Sequence, residues 1–102
     1  MPAEWTAELI GGMHLQRVTA KQLAAEVGWH PKYLSAVLNG RRNPNDAEKK
    51  LKAALLRIEI KRDRLAHGLS DDLEAVAAEY REMDPAYAAE FERTILLRET
   101  EG

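Results

Sequence analysis

Apolar residues recur at intervals of three and four along nearly the whole of this chain, and no stretch alternates apolar with polar for more than a few residues. A period near 3.6 places one apolar stripe on each helix, whereas a half-buried strand needs a period of two. The expected fold class is therefore all-α. With 102 residues there is room for one ordinary domain and no second core of similar size, which excludes a large enzyme.

The punctuation between periodic stretches sets the helix ends. The first helix is expected from Pro2 or Ala3 to about Leu15, with Trp5, Leu9 and Met13 on one face and Gly11-Gly12 weakening its end. Thr19 is a good N-cap for a second helix, Ala20 to Val27, which Gly28 stops. Pro31 suits the first turn of a third, running to Leu38 before Asn39-Gly40. A fourth, from Asp46 to about Ala66, carries Ala47, Leu51, Ala54, Leu55 and Ile58 on one stripe and Leu56 with Ile60 on a second flank. Asn45 and Glu48 read as its capping box, and His67-Gly68 as its close. Residues 69–99 read as an αα-hairpin, its first helix capped by Ser70 and its second restarted at Asp84-Pro85.

A formal charge of −2 conceals a split: residues 1–64 carry 12 Lys/Arg against 7 Asp/Glu, and residues 65–102 carry 3 against 10. The first part suits a polyanion; the second would be repelled by one. There are no cysteines, which excludes thiolate metal sites and fits a reducing compartment, and His14, His30 and His67 are too scattered to make a metal site. No metal or other cofactor is expected. No apolar run approaches the ~20 residues of a membrane span, and the start MPAEWTAEL lacks the layout of a signal peptide, so a cytoplasmic protein is expected.

The stretch that carries function is TAKQLAAEVGWHPKYLSAVLNGRRNP, residues 19–44. Ala24 is small where two helices approach closely, Gly28 supplies a positive φ for a tight turn, and Leu34 with Val37 docks the third helix on Leu23 and Val27. On Thr19, Leu23-Ala24, Val27-Gly28, Leu34, Val37 and above all Asn39-Gly40-Arg41-Arg42-Asn43-Pro44, the segment resembles the lambda-repressor-like (Cro/repressor, XRE) helix-turn-helix family over about residues 3–62. That resemblance implies that the third helix lies in the major groove of double-stranded DNA, with His30 at the N-cap, Lys32, Tyr33, Ser35 and Ala36 toward base edges. It implies phosphate contacts by Asn39, Arg41, Arg42 and Asn43. Where the family often places a phosphate-holding Gln, this chain has Ala20, so Thr19 or Lys21 is expected to substitute. His30-Pro31 replaces a small polar pair.

The resulting expectation is a compact helix-turn-helix bundle, residues 1–66, followed by an acidic helical hairpin, residues 67–102, that dimerises or binds a partner. Leu56, Ile60, Leu73, Val76, Tyr80, Tyr87, Phe91 and Ile95 are the expected contact residues, and a homodimer would match two-fold operators. Trp29 is expected mainly in the core. Lys49, Lys50, Lys52, Arg57, Lys61, Arg62 and Arg64 read as a solvated helix face. No set of residues supports catalysis: Asp71-Asp72 and Glu79, Glu82 and Asp84 read as caps and exposed charge. The expected function is a sequence-specific, non-enzymatic transcriptional regulator of the prophage-type or bacterial repressor kind. The alternatives are an antitoxin-like autorepressor whose acidic helices bind a basic partner protein, and an interaction adaptor that does not bind DNA.

Overall fold

The computed structural model describes residues 3–98, and these are all-helical, without strands. The order is α1 (Glu4–Gln16), α2 (Ala20–Val27), α3 (Pro31–Leu38), α4 (Ala47–Ala66), α5 (Leu73–Met83) and α6 (Pro85–Thr94). The chain divides into two compact units, Met1–Leu55 and Leu56–Gly102. The break falls inside α4, eleven residues before the boundary expected at 66/67, because the second half of α4 packs with the hairpin that follows it.

In the first unit Leu9, Met13, Leu23, Leu34, Val37 and Leu51 are buried. Leu23 and Leu34 are wholly enclosed, each worth about 1.5–3 kcal/mol in apolar transfer. The glycine pair does not interrupt α1. The helix passes through both glycines to Gln16, and a Cβ on Gly12 would stand 3.1 Å from Leu55 Cδ2, so the missing side chain lets α1 and α4 approach closely. Arg17 ends α1 in the left-handed region at φ 54°, with the Val18 N–H donating to the Met13 carbonyl at 2.9 Å. On α4, Lys52 Nζ donates to Glu48 at 2.8 Å and to Glu8 of α1 at 3.5 Å. The hydrogen bond that Lys52 donates to Glu48 is the main reason that its ammonium is held above the ordinary lysine value.

Two helix starts differ from the sequence reading. Asp46, at φ 58°, takes the position before α4, and its carbonyl accepts the Lys50 N–H at 2.8 Å, so Asn45 is not the cap. Asp72 rather than Ser70 caps α5, accepting the Ala75 N–H at 3.3 Å; Ser70 Oγ instead accepts the Asp72 N–H at 3.1 Å. Asp84 caps α6 by accepting the Tyr87 N–H at 3.2 Å. That helix ends at Thr94, earlier than the expected 99.

The second unit has its own core: Leu73, Val76, Ala77 and Phe91, with Ile60, Tyr80, Ile95 and Leu96 packed against it. This corrects the assignment of Leu73 and Val76 to a dimer or partner contact, since their own chain covers them; Phe91 is 7% exposed. Lys49, Lys50 and Arg62 are exposed as expected, but two other α4 bases are not simply solvated. An Arg57 NH donates to the Ile95 carbonyl at 2.9 Å and Arg64 Nε to the Ser70 carbonyl at 2.5 Å, so both tie α4 to the hairpin. Glu92 is buried on α6 and accepts from Arg81 Nε of α5 at 2.5 Å; Arg98 lies 3.5 Å from its other oxygen and also pairs with Glu74.

Among the described residues no helix is long and apolar enough to cross a membrane.

Candidate nucleic-acid interface

The local sequence of α2 and α3 dictates how the site is built. Thr19 Oγ1 accepts the Gln22 N–H at 3.1 Å while Gln22 Oε1 accepts the Thr19 N–H at 2.8 Å, a full capping box that fixes the start of α2. Gly28 turns the chain at φ 82°, and the Gly28 and Trp29 N–H groups both donate to the Ala24 carbonyl at 2.9 Å. Pro31 forces the preceding residue out of the helical region, and His30 accordingly sits at φ −65°, ψ 140°. Helix α3 then packs on α2 through fully enclosed Leu34 and Leu23.

On the opposite side of α3, Lys32, Ser35 and Ala36 share one face because they are three and four residues apart. Lys32 and Ser35 are exposed and Ala36 is half-buried. Past the helix, the Ala36 carbonyl accepts the Arg41 N–H at 2.8 Å and the Arg42 N–H at 3.3 Å, with Gly40 at φ 77° between. That double acceptance folds the arginine loop back beside α3. The result is an open depression lined by Lys32, Ser35, Ala36, Arg41 and Arg42. Three residues expected at base edges and two expected at phosphate thus line one concave surface carrying three cations.

The remaining candidates stand differently. His30 Nδ1 accepts the Lys32 N–H at 3.1 Å and so caps α3. With Nδ1 as acceptor, the neutral imidazole carries its proton on Nε2, which makes the ring an outward donor rather than a donor or acceptor at choice. Tyr33 is 37% exposed, its ring edge-on to half-buried Trp29 with centroids 5.1 Å apart, so only part of it is available. Asn39 Nδ2 turns back on α3, donating to the Ser35 carbonyl at 2.9 Å and Ser35 Oγ at 3.3 Å. Its amide nitrogen is therefore spent on shaping the helix end. Thr19 is likewise committed: its N–H and one lone pair serve the capping box. Lys21 and Asn43 are exposed and lie outside the lining of the depression.

Sequence reasoning missed Gln22, although the T-x-x-Q spacing signals the box. It also missed the Asn39–Ser35 lock and the use of the His30 ring as a cap. Among the described residues no group of three or more His, Asp or Glu is placed to hold a metal ion. In comparisons with protein-family models, curated proteins and solved structures, nothing matches this chain.

Proposed function

We propose that the chain is a DNA-binding transcriptional regulator of the lambda-repressor-like kind, with α3 seated in the major groove of a duplex. The observation that supports this most is the shared depression, where the outward face of α3 and the Arg41-Arg42 loop meet. In this reading Lys32 donates to guanine N7 and O6, the Ala36 methyl meets a thymine methyl, and Ser35 and His30 Nε2 add donors. Arg41 and Arg42 hold phosphates, as the resemblance implies, which gives affinity and register without sequence information.

Phosphate contacts have a measurable signature, because each one releases counterions. Binding to a random-sequence duplex should fall with salt at a log–log slope of about 0.9 per phosphate contacted. Arg41→Ala and Arg42→Ala should each flatten that slope by about 1 and weaken binding on every sequence alike. An unchanged slope in the double variant would contradict the proposed role of the loop.

A further inference from the structure

The second unit carries a depression of its own, lined by α4, α5 and α6 residues that the DNA-binding reading leaves unused. Its distinctive part is aromatic. Tyr80 stands edge-on to Tyr87 with ring centroids 5.1 Å apart, and edge-on to Phe91 at 5.4 Å, so the lining holds a cluster of three rings. Phe91 is in the core and Tyr80 half-buried, while Tyr87 is 53% exposed. Among the described residues the lining includes two carboxylates, Asp63, which lies 3.6 Å from His67 Nδ1, and Glu90, together with one cation, Arg64, whose Nε donates to the Ser70 carbonyl. Ile60, Leu69 and Ile95 add aliphatic surface to the lining, with Leu69 49% exposed.

Aromatic faces beside carboxylates attract cations, and an aliphatic extension selects a cation attached to apolar groups rather than a small free amine. The long-range charge agrees: residues 56–102 carry 12 Asp/Glu against 7 Lys/Arg. We propose that this depression binds an arginine side chain presented by a basic, partly apolar segment of a partner protein. The guanidinium lies against Tyr87 and Tyr80 and between the Glu90 and Asp63 carboxylates, and a neighbouring apolar side chain of the segment covers Leu69 and Ile60. Arginine suits the site better than lysine because its flat, weakly hydrated guanidinium stacks on rings and pairs with carboxylates at once. This assignment is independent of DNA binding.

The test uses the full chain and a capped Leu-Arg-Leu-Arg peptide, titrated while backbone and ring NMR signals are followed. A peptide with citrulline in place of arginine keeps the shape and removes the charge. The expected result is saturable shifts confined to the residues lining the depression, with the citrulline peptide at least about fivefold weaker. Tyr87→Ala and Glu90→Gln should each weaken the arginine peptide by about threefold, and Tyr87→Phe should retain binding because it keeps the ring. Equal binding of both peptides would overturn the proposal, as would shifts spread over the acidic surface. Tetramethylammonium binding as tightly as the peptide would replace a protein segment with a small quaternary ammonium ion and likewise overturn it. So would a change in the sedimentation of the free chain on Tyr87→Ala, which would show that a second copy covers the depression.

Discussion

Single residues around α2 and α3 join a structural duty to a proposed DNA-binding one, and the hydrogen bonds separate the two. His30 reads from sequence as a base-contacting side chain at an N-cap; in the fold its Nδ1 is already taken by the Lys32 N–H. His30→Ala should therefore cost about 1 kcal/mol of stability while His30→Asn, which restores a capping oxygen, should cost far less, as thermal unfolding would show. Equal melting temperatures for the wild type and the alanine variant would remove the cap. At Gly28 the open space around the Cα would accept a methyl, and the cost lies in the backbone at φ 82° alone. Gly28→Ala should destabilise by about 1–2 kcal/mol, measurable by denaturant titration, without disturbing the core. The cap position at residue 30 was legible because proline follows it. The ring's orientation was not, since sequence does not say which nitrogen meets which amide.

At the scale of elements, α2 and α3 fall where the sequence placed them, because Thr19, Gly28, Pro31 and Asn39-Gly40 each impose a local conformation that nothing downstream overrides. The starts of α4 and α5 differ from the sequence expectation because each offers two neighbouring candidates, Asn45 or Asp46 and Ser70 or Asp72, which the sequence pattern alone does not rank. The hairpin shows a similar limit. Its apolar stripes were plain in the sequence, but whether they faced their own chain or another depended on contacts with α4. Nor did the sequence single out Glu92 among ten acids beyond residue 64. Its buried carboxylate joins Arg81 of α5 to Arg98 beyond α6, and charge-assisted hydrogen bonds of this kind are worth about 1.5–3 kcal/mol. Glu92→Ala should lower stability by about 2 kcal/mol, whereas Glu82→Ala, on the exposed side of α5, should stay within about 0.5 kcal/mol. Comparable urea midpoints for the two variants would contradict that difference.

For the molecule as a whole, the charge split coincides in broad terms with two compact units, one carrying the basic depression beside α3 and the other the acidic hairpin. Opposite charge at the two ends of the sequence supports two unlike partners, a polyanion for the first unit and a basic segment for the second. The central claim, that α3 reads bases while the arginine loop holds the backbone, is tested most directly by selecting bound duplexes from a random library with the wild type and with Lys32→Ala. Enrichment of one short motif by the wild type is expected, palindromic if two copies bind together, with discrimination relaxed at one position by about 1–3 kcal/mol in the variant. No enrichment by the wild type, or the same motif with equal losses on selected and random DNA for Lys32→Ala, would contradict it.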